Sequence, residues 1–509
     1  MRIRQLLLFL LGLCVVLPST ARADPVFLDA RPDAIDSILL KQKRQIEVYL
    51  PSESAKDSSG RYETLYVLDG DWNTHLVVEI VSFMRQVGLL PPLIVVGVPN
   101  FFDEKGVNSR DRDLTPTVSD EQARSGGAAE FLAYLKTELL PYVDGHYPTN
   151  KTHLIHGHSY GGLFLIYALL HEPALFDGYI VLDPALRWDH HALDSTLDEQ
   201  LPVTPTKGKA IYIAGREGPA FEDMGIASVK PIFESKAPQG LHWKIAAYPA
   251  ESHDSLKLKA TYDALRFAYQ GYTGTPLRLV PNGGIVVKGK PVFVTVDGGS
   301  LDAFDLRIAN DGTTPTEASP KVEPPFAVSD PERTVVRLVS NRGVFDRALP
   351  LNLKSGDFMA PPRGLFRPTA NWQVEYFAAD AWPALRGKPF NATSADNRLS
   401  FDDVGRDVFA GRLSRNLDIP VDGYYVLAVF TDKARVALSG KALFEQNSDK
   451  GAPYRAFIVP LRRGVYPLRV DFLRAAKGTG VEVAVFQVKD GQPEWWKNKL
   501  FEVKSERGH

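Results

Sequence analysis

The sequence predicts an α/β domain with a mostly parallel sheet, followed by two C-terminal β-sandwich domains. Over residues 24–275, short apolar segments alternate with helical stretches such as GGLFLIYALLHEPALF (161–176). Near-continuous apolar strands separated by helices are typical of a parallel sheet that is covered on both faces. After Tyr272 the strands follow one another without helices between them, as in small antiparallel sandwiches.

Seven segments of the α/β domain are predicted to be strands, and functional residues of such sheets collect on loops at the carboxyl ends of the strands. In chain order they are RQIEVYLP (44–51), ETLYVLDG (63–70), PLIVVGVPN (92–100), THLIHGHS (152–159), GYIVLDPAL (178–186), AIYIAGRE (210–217) and WKIAAYP (243–249). We expect the α/β domain to cover residues 24–275, the first β-sandwich 276–353, and the second, with a C-terminal tail, 354–509.

The N-terminal segment has a basic start, an apolar run and a small-x-small site at residues 21–23. This layout predicts a signal peptide over residues 1–23 and export to the periplasm or the medium. Cys14 is the single cysteine and lies in this segment, so the mature protein would have no disulfide and no thiolate metal site. Leu13 precedes it, which argues against a lipid anchor on Cys14. A net charge of −2 with mixed signs excludes an electrostatic preference for nucleic acid or an anionic membrane.

The stretch HGHSYGG (156–162) matches the pattern G-x-S-x-G around Ser159. It directly follows a predicted strand and directly precedes a predicted helix, which is the strand–turn–helix context of a nucleophile elbow. The three histidines of HLIHGH do not suggest a metal site, because His153 would point to the opposite strand face from His156 and His158. Ser159 is therefore the candidate nucleophile.

A serine nucleophile needs a base, and the base needs a carboxylate that orients it. His253 follows the last predicted strand and is the expected base; His242 precedes that strand, and His190 and His191 come too early in the chain. Glu217, after the strand AIYIAG, is the leading candidate for the acid. The remaining candidates are Glu222, Asp223 and, less favoured because it adjoins the base, Asp254.

The oxyanion hole of such an elbow uses the backbone N–H after the nucleophile and another from a loop after an early strand. Tyr160 supplies the first N–H. The loop in LYVLDGDWN (65–73) supplies the second, for which we expect Asp71. A plain Asp-Gly turn is the alternative reading of that loop.

These motifs together resemble the "putative esterase" family of α/β-hydrolases, which includes S-formylglutathione hydrolase, feruloyl esterases, mycolyltransferases and siderophore esterases. The matching pieces run in order from residue 30 to 270 and are EVYLP, LYVLDGDW, IVVGVPN, NSRDRDLTP, FLAYLKTELLPYVDGHYPT, HGHSYGGLF, FDGYIVLDPALRWD, AGREG and ESHDS. RDRDLTP and GLFLIYALL resemble in particular the periplasmic salmochelin and enterobactin esterases.

The resemblance implies an α/β-hydrolase fold in which Ser159, Glu217 and His253 are catalytic. Some members of the siderophore branch work with a Ser–His dyad, which leaves the acid less certain. Four side chains in the matching pieces are candidates for contact with substrate: Trp72, Arg110, Arg112 and His158. The chain departs from the branch at Asp183-Pro184-Ala185, where Ser-Pro-Ser is usual, so contacts with substrate on that loop would differ.

The β regions carry weaker resemblances. Residues 276–352 resemble the Ig-like domain of chitobiase-type enzymes through PVFVTVDGGS and NDGTTPTEAS, and residues 370–490 resemble the lectin-like sandwich of anthrax protective antigen. Thr431-Asp432-Lys433 stands where sugar-binding members hold calcium with an Asp-Asp pair, and an ammonium there opposes a cation. Exposed tryptophans among Trp372, Trp382, Trp495 and Trp496 would stack on sugars; core packing is the more common role.

The sequence therefore predicts an exported serine hydrolase that cleaves a carboxylic ester through an acyl-enzyme, without a metal or organic cofactor. The expected substrate is a siderophore-type or other aryl or acyl ester. Two alternatives use the same residues: hydrolysis of feruloyl or acetyl esters on a polysaccharide, and acyl transfer. A third is a non-catalytic binding protein on a hydrolase scaffold.

Overall fold

The chain forms two compact units that divide between residues 269 and 270 in a computed structural model. The structure describes residues 26–120, 122, 124–298, 305–396, 398–401, 404–447, 454–476, 479–489 and 494–505. The predicted signal peptide and Cys14 lie outside these residues. None of the described helices is long and apolar enough to cross a membrane.

The first unit is built on one eight-stranded sheet, in the order β1-β2-β4-β3-β5-β6-β7-β8. Its strands are β1 (Arg31–Ser37), β2 (Gln42–Tyr49), β3 (Tyr62–Leu68), β4 (Leu93–Val98), β5 (Thr149–His158), β6 (Gly178–Leu182), β7 (Lys209–Arg216) and β8 (Leu241–Tyr248). The pairs β1/β2 and β2/β4 are antiparallel, and all others are parallel. The seven predicted strands are confirmed, and β1 is an additional edge strand.

Helices connect the parallel strands. They are α1 (Glu53–Lys56), α2 (Gly70–Gln86), α3 (Arg110–Leu114), α4 (Ala128–Tyr134), α5 (Leu140–His146), α6 (Tyr160–His171), α7 (Trp188–His191), α8 (Asp194–Gln200), α9 (Pro219–Asp223), α10 (Ile226–Lys236) and α11 (Leu256–Ala268). One π-helical turn, Leu135–Leu139, joins α4 to α5. The central strands β4 and β6 are buried at every position, as expected for a sheet with helices on both faces.

The buried helix α6 fixes the position of the turn that carries Ser159. The helix α6 carries nine buried residues in twelve, so it is fixed along most of its length. Its N-terminus meets the carboxyl end of β5, which lies between β3 and β6. The loops after β3, β5 and β6 are therefore neighbours at one edge of the sheet. The order of strands and the helices that cover them make the first unit an α/β-hydrolase fold.

The second unit consists of β-strands in several sheets. The strands are β9 (Arg278–Val280), β10 (Gly284–Val286), β11 (Val292–Asp297), β12 (Asp305–Ala309), β13 (Lys321–Val322), β14 (Phe326–Val328), β15 (Val335–Val339), β16 (Arg347–Leu349), β17 (Leu353–Ser355), β18 (Trp372–Phe377), β19 (Asn391–Ala395), β20 (Arg398–Leu399), β21 (Phe409–Ile419), β22 (Gly423–Phe430), β23 (Lys433–Leu438), β24 (Lys441–Asn447), β25 (Tyr454–Leu461), β26 (Gly464–Arg474), β27 (Glu482–Val488) and β28 (Lys499–Ser505).

The two predicted β domains share a sheet. The order of its seven strands is β17-β10-β25-β22-β27-β28-β20, so β10 of the first predicted sandwich joins strands of the second, and β17 spans the predicted boundary between them. One core also draws on both regions, with Val294 and Leu338 beside Val426 and Phe486. Trp372 and Trp495 are buried, so these two tryptophans pack in cores and are not available to stack on sugars.

Candidate active site

Ser159 occupies the sharp turn between β5 and α6, with φ 58° and ψ −115°. A positive φ is unusual for serine and is held here by hydrogen bonds on both sides of the residue. The Ser159 N–H donates to the Leu182 carbonyl at 2.9 Å, and the Ser159 carbonyl accepts from Ala185 N–H at 3.1 Å. The loop after β6 thus braces the turn that presents the Ser159 hydroxyl.

The two glycines that flank the turn differ in their steric role. A Cβ on Gly157 would lie 2.5 Å from the backbone of Gly161, so β5 and α6 approach each other only because residue 157 is glycine. A Cβ on Gly161 would meet nothing closer than 3.5 Å. The close approach of β5 and α6 therefore depends on glycine at residue 157 and not at residue 161.

His253 lies on the loop between β8 and α11, and its partner is the Asp183 carboxylate. The Nδ1 of His253 is 2.6 Å from Oδ2 of Asp183. Asp183 follows β6 directly, has φ 39°, and its side chain is fully buried. Its own N–H donates to the Ala214 carbonyl at 2.7 Å, which fixes the loop against β7. A buried carboxylate at Nδ1 is the arrangement that orients a histidine base toward a serine.

The acid expected from the sequence is therefore corrected. Glu217 lies at the end of β7, where its N–H donates to the Tyr248 carbonyl at 3.1 Å, and the residue is exposed. Its side chain, with those of Glu222 and Asp223, lines an open cavity of about 600 Å³. None of the three is the carboxylate that the structure brings to His253. The residue at the end of β7 that does reach this pair is Arg216.

Asp183 is held ionised by its partners. Burial of the carboxyl raises its pKa, but the hydrogen bonds from His253 and Arg216 outweigh burial and hold the pKa of Asp183 below its ordinary value. The Nε of Arg216 lies 2.6 Å from the same Oδ2 that accepts from His253. The charge of Asp183 is therefore present throughout the neutral range.

His158 is buried and contacts the loop that carries His253. Burial, with the nearby His253 as the next cause, lowers the pKa of His158 to about 3, so its ring is neutral at neutral pH. Its Nε2 is 2.8 Å from the His253 carbonyl oxygen, so Nε2 carries the proton and donates it. The two imidazole rings lie 4.2 Å apart. This polar atom of His158 therefore faces the backbone of His253, and the expected contact of His158 with substrate stays a prediction.

Both expected oxyanion donors lie at helix N-termini. Asp71 and Tyr160 stand in the first turns of α2 and α6, and the N-terminus of a helix favours negative charge. The carboxylate of Asp71 accepts from the N–H of Asn100 at 3.2 Å, which braces the first turn of α2. Asp69 precedes this turn with φ 52° and is buried.

Arg110 connects the two loops that carry these N–H groups. Its Nε and Nη2 lie 2.7 and 2.9 Å from the two oxygens of Asp69. The guanidinium lies 5.0 Å from the ring centre of Tyr160 and 5.5 Å from that of Trp72. Arg110 is thus neutralised by a buried carboxylate, and its expected contact with substrate stays a prediction.

Arg112 and Trp72 complete the set of residues expected at the substrate. Arg112 is paired with Asp113, at 2.6 Å between Nη2 and Oδ1, and Asp113 also binds the buried Arg44 at 2.8 Å. Arg112 therefore belongs to an ion-pair cluster beneath α3. Trp72 is 56% exposed next to Asp71, and its contact with substrate stays a prediction.

Metal ligation has no support at this site. Among the residues that the structure describes, no group of three or more His, Cys, Asp or Glu side chains is arranged to hold a metal ion. His153 instead contacts Asp144 at 3.1 Å, and His156 contacts the Thr261 hydroxyl at 3.0 Å.

The fold and the site together define a serine hydrolase of the α/β-hydrolase class. Residues 37–220 match the model of the family described as "Putative esterase". Carboxylic ester hydrolysis is the activity of the domain, in agreement with the curated relatives below.

Three relatives are siderophore esterases by name. Ferri-bacillibactin esterase BesA of Bacillus subtilis is 25% identical over 248 residues, which cover 45% of this chain and 86% of BesA. Apo-salmochelin esterase of Escherichia coli is 27% identical over 219 residues, 40% of this chain and 65% of that protein. Siderophore triacetylfusarinine C esterase of Aspergillus fumigatus is 31% identical over 153 residues, 28% of this chain and about half (51%) of that protein.

Among solved structures, the chain is similar to an IroE-like serine hydrolase from Shewanella oneidensis. It has a TM-score of 0.43 and 26% identity, and the match covers 48% of this chain and 80% of that one.

Proposed function

We propose that this protein hydrolyses a siderophore-type carboxylic ester with Ser159 as nucleophile, His253 as base and Asp183 as the orienting acid. The observation that carries the proposal is the 2.6 Å hydrogen bond from His253 Nδ1 to buried Asp183, on the loop that also braces the turn of Ser159. A serine on such a turn and an oriented imidazole are the parts that acyl transfer requires.

The reaction follows from these parts. Ser159 Oγ attacks the ester carbonyl while Nε2 of His253 takes the hydroxyl proton, and the C–O bond to the leaving alcohol breaks as His253 returns that proton. Water then attacks the acyl-enzyme with His253 again as base, which releases the acid and restores Ser159. The N–H groups of Asp71 and Tyr160 bind the oxyanion of each tetrahedral intermediate.

The substrate class rests on two further observations. The curated relatives that the chain resembles are named as esterases of bacillibactin, salmochelin and triacetylfusarinine C. In this chain the exposed ring of Trp72 adjoins the oxyanion turn and offers an apolar face to an aryl or acyl group. A catecholate trilactone is therefore the first substrate to test.

The test compares wild-type protein with Ser159→Ala. The panel contains a catecholate trilactone, methyl ferulate, acetyl-xylan and a p-nitrophenyl ester, and a fluorophosphonate probe reports covalent labelling. We expect the trilactone to be hydrolysed fastest, and the variant to lose both hydrolysis and labelling. Hydrolysis by the Ser159→Ala variant at the wild-type rate would refute the assignment of the nucleophile; faster turnover of acetyl-xylan would refute the substrate class.

We also propose that the protein is exported, on the basis of the signal-like residues 1–23. Export predicts a mature chain that begins at Asp24 and accumulates outside the cytoplasm. Expression in a Gram-negative host, cell fractionation and N-terminal sequencing test this. An intact Met1 on protein confined to the cytoplasm would contradict it.

A further inference from the structure

Arg216 and His253 share a single oxygen atom. The Arg216 Nε and the His253 Nδ1 each lie 2.6 Å from Oδ2 of Asp183, so the two nitrogens are no more than about 5.2 Å apart. The backbone N–H of Arg216 also points to Oδ1, at 3.4 Å. The Asp183 side chain is fully buried, and that of Arg216 is 25% exposed. The usual acid–histidine pair is thus a triplet of acid, histidine and arginine.

A cation at this position opposes the protonation of His253 in two ways. It neutralises the carboxylate charge that would stabilise an imidazolium, and it repels the imidazolium directly across a short distance. It also leaves the hydrogen bond that orients Nδ1 in place. In an ordinary triad one aspartate both orients the imidazole and stabilises its protonated form by charge. Here Asp183 still orients the ring, while Arg216 offsets the charge of Asp183.

We propose that Arg216 is a positioning residue that holds Asp183 in place and offsets the charge of that carboxylate beside His253, so that kcat/KM is retained to lower pH than in a Ser–His–Asp triad without the arginine. The inference rests on the proposed function of Ser159, His253 and Asp183. Arg216 acts through Asp183 and does not itself need to touch the substrate.

The other charged and titratable groups around His253 do not provide such a cation. His158 is neutral near neutral pH, as shown above. Lys257 is paired with Asp254 at 3.0 Å, so these two groups carry opposite, mutually compensating charges beside the loop. Among the described residues that contact the Asp183 carboxylate, Arg216 is the cation.

The test is the pH dependence of kcat/KM for a neutral ester in wild type, Arg216→Gln and Arg216→Lys. In Arg216→Gln we expect the pH of half-maximal kcat/KM on the acid side to rise by about one unit, because loss of the cation favours the imidazolium. In Arg216→Lys the charge remains, and we expect a shift of less than about half a unit. KM for the neutral ester should stay within about twofold in both variants, because Arg216 acts through Asp183.

The matched control is Glu217→Gln, which removes a charge from the adjacent exposed residue and should leave the acid side of the profile unchanged. The proposal would be overturned if the pH of half-maximal kcat/KM on the acid side were the same in Arg216→Gln as in wild type. It would also be overturned if Arg216→Lys shifted this pH as much as Arg216→Gln does. If Arg216→Gln does not fold, as judged by circular dichroism, Arg216→Met fills a similar volume without charge and decides the question by the same profile.

The rate of fluorophosphonate labelling against pH gives a second readout that does not depend on the substrate chosen. Its acid side should shift in parallel with that of kcat/KM. A wild-type protein that is neither labelled nor active on any ester would refute the proposed function, whereas an active protein with an unshifted Arg216→Gln profile refutes only the role of Arg216.

Discussion

At the scale of single residues, the identity of the acid is the point at which sequence and structure differ most. Ser159 and His253 could be predicted because each follows an apolar strand in a recognisable local pattern. Asp183 also follows a strand and lies between Ser159 and His253 in the chain, so it meets the same criteria for the acid as Glu217 does. The choice between the ends of β6 and β7 depends on side-chain distances in three dimensions, which strand patterns do not contain.

Arg110 provides a prediction at this scale, with Arg112 as the matched control. Arg110→Gln leaves buried Asp69 without its cation and loosens the turn that carries Asp71, so kcat should fall by about 10- to 100-fold, in line with the loss of an oxyanion donor. Arg112→Gln leaves Asp113 paired with buried Arg44, and kcat should change by less than about threefold. Steady-state kinetics on a p-nitrophenyl ester checks both; equal losses would contradict the distinction.

A second residue-scale prediction concerns stability against pH. Because the folded-state pKa of Asp183 is lowered, its ionised form stabilises the fold fully above the ordinary carboxyl pKa of about 3.9, and this contribution is lost as the pH falls through the lower folded-state value. The difference in Tm between wild type and Asp183→Asn should therefore be constant from pH 5 to 7 and shrink below about pH 4. Differential scanning calorimetry across this range measures it; a difference that grows toward acid would contradict the ion pair.

At the scale of elements, the strand–turn–helix at Ser159 could be predicted in full, since its glycines, apolar strand and apolar helix are all local signals. The different steric roles of Gly157 and Gly161 could not be predicted, because they depend on how closely β5 and α6 approach each other. The braces at Leu182 and Ala185 come from another loop and have no local signal either.

The elbow yields a comparison of two alanine substitutions. Gly157→Ala places a Cβ 2.5 Å from the Gly161 backbone, and we expect it to lower the free energy of unfolding by about 1–3 kcal/mol or to prevent folding. Gly161→Ala has a nearest neighbour at 3.5 Å and should change the free energy of unfolding by less than about 1 kcal/mol. Urea denaturation of the two variants tests this; similar destabilisation by both would show that the turn is not packed as described.

At the scale of the whole molecule, the sequence predicts the α/β unit and the β-rich remainder, and both are confirmed. The joining of the two β regions in one sheet could not be predicted, because β10 is a three-residue strand whose partners β17 and β25 lie far along the chain: Gly284 pairs with Leu353 and with Ile458. A three-residue strand is too short to show the alternation of apolar and polar residues by which strands are recognised in a sequence.

The separation into units predicts the behaviour of a truncated chain. All the proposed catalytic residues lie before residue 270, and the buried residues of the core cluster in this unit run from Ile35 to Leu241. A chain of residues 24–275 should fold and hydrolyse a p-nitrophenyl ester within about threefold of the wild-type kcat/KM. A soluble, folded truncation with a loss of more than about tenfold would show that the second unit is needed for catalysis.

The central claim is that Asp183 orients His253, and the most direct test is the kcat/KM of Asp183→Asn beside that of Glu217→Gln. The account predicts a fall of about 10²- to 10⁴-fold for Asp183→Asn, because an amide favours the wrong tautomer of the histidine and withholds its charge. It predicts a change of less than about twofold for Glu217→Gln. Near-wild-type activity in Asp183→Asn together with a large loss in Glu217→Gln would contradict it.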